Sequence, residues 1–322
     1  MTIDHIAVVG AGAWGTALAL AANRAGRQVT LWGRDVADMA ARRENAAHLP
    51  GVALPETMRI TGRIGDVLAA DAILLATPAQ TVREVAGHLG AIAEDTPVVL
   101  CAKGLEKGSA RRMSEVLSEA LPPAAPVVLS GPSFATDVAR GLPTAVTIAA
   151  PDLRLAMALC HALGSASFRP YAETDVLGVE IGGAFKNVLA IGVGVVAGRA
   201  LGASASAALI ARGFAEIRRL GEAMGALPET LMGLSGLGDL VLTCSSMQSR
   251  NFAYGHALGS GAALPPALAE GAATAPVARD LARSLGVPMP ITEAVAAILE
   301  GKLSIDAAAE ALMLRPLKRE VD

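Results

Sequence analysis

The run Gly10-Ala11-Gly12-Ala13-Trp14-Gly15 constrains this chain more than any other six residues. It follows an aliphatic stretch, His5–Val9, that reads as a strand, and it opens Ala13–Ala25, which reads as a helix closed by Gly26. A second aliphatic stretch, Arg27–Trp32, completes a βαβ unit of roughly thirty residues, the context that gives GxGxxG physical meaning. Gly10 permits the tight turn, Gly12 lets a pyrophosphate approach the backbone, and Gly15 allows close helix–strand packing. The helix start offers unpaired N–H groups to an anion. These glycines are candidates for holding a dinucleotide.

The residue at the tip of the second strand discriminates between cofactors. A carboxylate there holds the ribose 2′-hydroxyl of NAD, whereas an arginine meets the 2′-phosphate of NADP. Here Arg34 comes first and Asp35 follows, so NADP(H) is favoured with NAD(H) as the alternative. A solvated surface arginine is the competing reading.

Further aliphatic runs at Ala72–Ala76, Pro97–Cys101 and Pro126–Ser130 read as buried parallel strands, with Pro143–Ala150 and Ser167–Tyr171 as additional candidates. Helix-like segments such as Ala110–Ala120 lie between them. This alternation predicts an α/β fold, an N-terminal doubly wound, mostly parallel Rossmann sheet. After about residue 174 strand-like runs stop and helical periods take over. Ser206–Ala226 places Ile210, Phe214, Ile217 and Met224 on one stripe, with Arg212, Glu216, Arg219 and Glu222 elsewhere around the helix. The expected division is a dinucleotide-binding domain over 1–175 and an all-α substrate domain over 176–322.

Composition bears on what the chain is not. Of 322 residues, 52% are hydrophobic and 18% charged, and the mean hydropathy is +0.47, apolar enough to raise a membrane reading. The stretch Ile6–Ala22 is interrupted by three glycines and preceded by Asp4 and His5 rather than a basic segment. The other apolar stretch, Val188–Ala211, is cut by Arg199, so neither reads as a membrane span. The formal charge of −3 argues against a nucleic-acid partner, despite the short basic tail Arg315-Pro316-Leu317-Lys318-Arg319. Cys101, Cys160 and Cys244 form no CxxC pair, which points to a reducing, cytoplasmic setting. The five histidines show no ligand spacing, so no metal is expected.

Two lysines stand in largely uncharged surroundings. Lys103, in Cys101-Ala102-Lys103-Gly104, follows a strand at its carboxyl end, where open α/β sheets bind ligands. Lys186 sits in an uncharged run, and a buried lysine is costly unless it has a partner and a purpose. Asp239, followed by Thr243, is a candidate partner, although spacing alone favours a plain helix N-cap for it. Ser249-Arg250-Asn251 opens a helical stretch, where backbone N–H groups and a charged fork can converge on a phosphate. An ordinary capped helix explains that segment equally well.

Taken together, GAGAWGTALA, CAKGLEKG, SGPSFA, GVEIGGAFKNVLAI, MGLSGLGDLVLTC with SSMQSRN, and AEGAATA resemble the bacterial-type NAD(P)-dependent glycerol-3-phosphate dehydrogenases, in order and along almost the whole chain. The resemblance implies interconversion of dihydroxyacetone phosphate and sn-glycerol 3-phosphate, supplying glycerol 3-phosphate for glycerophospholipid synthesis. It implies a catalytic group of Lys186, as general acid/base, with Asp239 and Lys103. Substrate contacts would come from Lys103, Gly131, Ser133, Lys186, Asp239, Ser249, Arg250 and Asn251, with Thr243 in support. Cofactor contacts would come from Gly10, Gly12, Trp14, Gly15, Arg34, Lys103, Ala135, Arg250, Leu268 and Glu270. A homodimer stays open as the assembly. One departure is Ala203-Ser204, where the family commonly carries an Asp-Asn pair.

An unperturbed lysine, with a pKa near 10.4, is already protonated at neutral pH. Ketone reduction therefore needs no large shift at Lys186, and alcohol oxidation should prefer higher pH. The competing readings are a β-hydroxyacid dehydrogenase of the same two-domain plan and a non-catalytic NADPH-sensing protein. The first usually carries an asparagine four residues after its lysine, whereas Asn187 is adjacent here. The second has no use for Lys103, Lys186 and Arg250 together.

Overall fold

The computed structural model describes residues 2–266, 269–317 and 319. Eight strands form one sheet: β1 His5–Val9, β2 Gln28–Trp32, β3 Arg59–Thr61, β4 Ala72–Leu75, β5 Thr96–Leu100, β6 Ala124–Ser130, β7 Thr144–Ala149 and β8 Phe168–Glu173. Their order is 3-2-1-4-5-6-7-8. The first six reproduce the Rossmann order, which reverses direction between β1 and β4. All neighbours pair in parallel except β6 and β7, which are antiparallel.

The N-terminal helices are α1 Ala13–Arg24, α2 Ala37–Arg42, α3 Val82–Gly87, α4 Met113–Ala120, α5 Ala135–Ala139 and α6 Leu153–Leu163. Strand residues alternate between the two faces of the sheet. Ile6, Val8, Leu31 and Leu74 join the core with Leu18 of α1, while Ala7, Val9, Ile73 and Leu75 join Val116 and Leu117 of α4 on the other side. Each Val, Leu or Ile among them, fully removed from water, contributes on the order of 1.5–3 kcal/mol.

From α7 onward every regular element among the described residues is a helix: α7 Val176–Gly198, α8 Ala203–Met224, α9 Pro228–Met232, α10 Asp239–Cys244, α11 Arg250–Ser260, α12 Glu270–Ser284, α13 Pro290–Leu299 and α14 Ile305–Met313. Helix α7 is long and apolar enough to cross a membrane, with mean hydropathy 1.6, yet 83% of that window is buried inside the protein. It is the central helix of the helical domain, packed on α8, α10, α11 and α12. Helices α7 and α11 meet backbone to backbone. A Cβ at Gly194 would lie 2.2 Å from the Phe252 carbonyl oxygen, and one at Gly255 would lie 2.0 Å from that of Ile191. Only glycine permits this approach, and it brings the start of α11 beside Lys186 and Asn187.

The apolar run 188–211 is cut at Arg199 as its sequence reads: Arg199 is the C-cap of α7 and Gly202, at φ +94°, is the N-cap of α8. Elsewhere the structure departs from the sequence reading. Helix α4 starts at Met113 rather than Ala110, since Ala110 adopts φ +57° and Leu105 bridges to Arg112. Glu216, off the apolar stripe of α8, is nevertheless at 1% exposure, where it accepts from Ile291 N (2.7 Å), Thr292 N (3.1 Å) and Thr292 Oγ1 (3.0 Å) at the start of α13. The replaced Asp-Asn position is the exposed first turn of α8, and its N-cap Gly202 offers no side-chain cap.

Candidate active site

The glycine turn is built by contacts that exclude side chains. Gly10 adopts φ +117°, and a Cβ there would come within 2.6 Å of the Ala76 carbonyl oxygen. A Cβ at Gly15 would sit 1.8 Å from the Gly10 carbonyl oxygen. Gly12, the N-cap of α1, faces open space within 4 Å, and no side chain caps that helix. The hydroxyl of Thr77, beside Gly10, is buried without a hydrogen-bond partner among the described residues. An open cradle of helix N–H groups next to a polar orphan fits a dinucleotide pyrophosphate. Trp14 is half-buried in the first turn of α1, and Arg34 is exposed just beyond β2.

The second group of residues lies across the sheet, beyond the end of β5. Lys103 Nζ donates to Asp239 Oδ2 at 2.6 Å and to the Gly131 carbonyl at 3.3 Å. Lys186 Nζ donates to Asp239 Oδ1 and, at 2.7 Å, to Thr243 Oγ1. Asp239 therefore does not act as the side-chain N-cap that its spacing favours. It is the first residue of α10, preceded by a π-helical turn at Leu234–Gly238, and its carboxylate joins two lysines from different domains. Thr243 is one helical turn further on the same face.

Burial pulls Lys186 down to about 8; the Asp239 carboxylate opposes that shift and the Lys103 charge adds to it. Glu270, at the start of α12, is raised by burial against the opposing charges of Arg250, Lys103 and Lys186 and a hydrogen bond from the Ala79 backbone. Cys101 and Cys244 are pushed up to about 12 by burial, so neither supplies a thiolate. Among the described residues no three His, Cys, Asp or Glu side chains cluster as a metal site.

The remaining candidates fall around these groups. Gly131, at φ +148°, also accepts from Ser133 Oγ at 3.0 Å, and Ala135 is the first residue of α5. Ser249 caps α11 by accepting from Phe252 N at 3.2 Å, and Arg250 is exposed beside it. Asn251 Nδ2 donates to Asn187 Oδ1, while Asn251 Oδ1 accepts from Gly271 N, both at 2.9 Å. Leu268, and Lys318 of the basic tail, lie outside the described residues.

Two polar residues on α7 escape the sequence reading of the site. Asn187 ties α7 to α11 through Asn251. Glu180 accepts from Ser114 N (2.8 Å), Ser114 Oγ (2.6 Å) and Arg112 Nη1 (3.1 Å), joining the helical domain to α4. Glu180, Lys186 and Asn187 are the three hydrogen-bonding side chains in the otherwise apolar α7 sequence. On a buried helix each needs a partner, and that rule is the signal that finds them.

A phosphate cradle at the carboxyl edge of a doubly wound sheet, facing a buried lysine–carboxylate group from a helical domain, defines a two-domain dinucleotide-dependent oxidoreductase. Family models described as the NAD-dependent glycerol-3-phosphate dehydrogenase N-terminus and C-terminus match residues 5–156 and 175–310. A glycerol-3-phosphate dehydrogenase [NAD(P)+] of Bradyrhizobium sp. (strain ORS 278) is 62% identical over 321 residues, 98% of each chain. The crystal structure of glycerol-3-phosphate dehydrogenase from Coxiella burnetii superposes with a TM-score of 0.92 at 39% identity, covering 97% of this chain and 99% of that one. A ketopantoate reductase from Ralstonia eutropha, at 14% identity and a TM-score of 0.61 over 92% of this chain and 98% of its own, shares the fold alone. The chain belongs to the NAD-dependent glycerol-3-phosphate dehydrogenase family.

Proposed function

We propose that this enzyme interconverts dihydroxyacetone phosphate and sn-glycerol 3-phosphate, with NADP(H) favoured over NAD(H), and so supplies glycerol 3-phosphate for glycerophospholipid synthesis. The observation that carries the reading is the single Asp239 carboxylate shared by Lys186 and Lys103. The glycine cradle would hold the pyrophosphate of a dinucleotide whose reduced nicotinamide would supply the hydride. Lys186, as the ammonium, donates a proton to the ketone oxygen, and in the reverse direction the free amine takes it back. Asp239 and Thr243 orient Lys186, and Lys103 adds positive charge where the oxygen becomes anionic.

Arg250 and the start of α11 hold the substrate phosphate. Ser249 accepts from Phe252 N, which leaves its hydroxyl proton for that anion, and Asn251 retains one amide proton. Gly131 and Ser133 line the opposite wall. Trp14, Arg34, Ala135 and Glu270 would contact the dinucleotide beside the glycines. The domain boundary is placed at 175/176, supported by Asp175, which caps α7 through Gly178 N at 2.8 Å. Three free cysteines support a cytoplasmic setting, and a homodimer is the proposed assembly.

The β-hydroxyacid reading is not favoured, and a non-catalytic sensor has no use for two lysines sharing one buried carboxylate. The test is the absorbance of NADPH and of NADH on addition of dihydroxyacetone phosphate. Oxidation is expected with at least one, and faster with NADPH; no oxidation with either refutes the substrate.

A further inference from the structure

Asn45 takes no part in the chemistry above, yet it is a polar side chain at 3% exposure, directly behind the glycine turn. Its Nδ2 donates to the Ala11 carbonyl at 3.0 Å and to Thr16 Oγ1 at 2.7 Å, while its Oδ1 accepts from His48 N at 3.3 Å. Ala11 lies between the first two glycines of the turn, and Thr16 lies in the first turns of α1. One amide thus grips both ends of the turn from a segment outside the βαβ unit.

That segment is itself fastened. Arg43 O accepts from Leu54 N at 2.7 Å, Glu44 bridges to Ala53, and Leu49, Leu54 and Met58 are buried in the core under α1. Asn45 O also accepts from Leu49 N at 2.8 Å. The carboxamide is held from both sides.

A trans peptide plane points its C=O and its N–H in opposite directions. Fixing the Ala11 carbonyl toward Asn45 therefore aims the Gly12 N–H away from it, toward the open face of the cradle. Without that anchor the Ala11–Gly12 peptide, flanked by two glycines, can rotate and turn a carbonyl oxygen toward the pyrophosphate. We propose that Asn45 is a positioning residue for dinucleotide binding, setting the orientation of the Ala11–Gly12 peptide. This rests on the dinucleotide reading of the glycine turn.

The test is calorimetric titration with ADP-ribose, which carries the pyrophosphate without the nicotinamide, on wild type, Asn45→Ala and Thr16→Val. Asn45→Ala is expected to weaken ADP-ribose about tenfold, the scale of one lost hydrogen bond to an oriented peptide. Thr16→Val removes one of the two acceptors and is expected to weaken it by a smaller factor. In steady state, KM for the dinucleotide rises while kcat and KM for dihydroxyacetone phosphate at saturating cofactor stay near wild type. General loosening of the fold moves all three instead and overturns the proposal. So does ADP-ribose binding within about twofold of wild type in Asn45→Ala, or, if that variant does not fold, unchanged binding in Thr16→Val. Wild type that does not bind ADP-ribose refutes the cofactor reading itself.

Discussion

Lys186 donates to Asp239 across a contact in which the lysine is 6% and the carboxylate 1% exposed. A buried ammonium is costly alone, and the paired carboxylate offsets much of that cost. The offset is incomplete, which is why Lys186 stands at about 8 instead of its ordinary value near 10.5.

The pH profiles follow from the sign of that shift. Oxidation needs the free amine, so kcat/KM for glycerol 3-phosphate rises as pH passes through about 8. Reduction needs the ammonium, so kcat/KM for dihydroxyacetone phosphate falls above the same pH. Asp239→Asn removes the charge that opposes the shift and moves both limbs to lower pH. A reduction profile that stays flat from about pH 7 to about pH 10 removes Lys186 as the proton donor.

The backbone contact of α7 with α11 sets a packing prediction. Gly255→Ala places a Cβ 2.0 Å from the Ile191 carbonyl oxygen, so the helices must separate. Such overpacking costs about 2 kcal/mol, read as a lower urea midpoint. Activity falls too, because α11 begins at Arg250. Unchanged stability would mean that the two helices part freely.

Glu216 makes stability depend on pH. Burial raises its carboxyl from 4.5 to about 7, against three hydrogen bonds at the start of α13. The folded state then holds a proton that the unfolded chain releases, so its contribution is greatest below pH 4.5 and declines as pH rises through about 7. Relative to Glu216→Gln, which does not titrate, wild type should lose stability over that interval. Urea unfolding of both proteins at the two ends of the interval reads the difference. A constant difference would show that Glu216 has the same charge in both states.

The proposed contact of Arg34 with the 2′-phosphate of NADP sets a prediction about cofactor choice. Arg34→Ala should raise KM for NADPH about tenfold, the loss of one charge-assisted contact, and change KM for NADH by less than about twofold. Equal changes with both cofactors would return Arg34 to the solvent.

Much of the frame was legible because its signals are local. The glycine turn, the aliphatic strands and a lysine within an uncharged run each declare themselves within a few neighbours. Asp239 does not. Its partners Lys186 and Lys103 lie 53 and 136 residues away, and nothing in the spacing turns its carboxylate from the N-cap toward them. Glu216 gives no local sign of its burial for the same reason, since the α13 amides that donate to it are 75 residues on. The three-residue β3 is too short for any period, and the antiparallel β7 depends on how the chain returns after the five-residue α5. Asn45 sits in a polar loop sequence that hides its 3% exposure.

The most direct measurement is turnover of dihydroxyacetone phosphate and NADPH by Lys186→Ala beside wild type, at neutral pH and saturating substrate. The buried ammonium as general acid predicts a fall in kcat of at least about 10²–10⁴-fold, with NADPH still bound. A variant that is folded and turns over within a few-fold of wild type would contradict it.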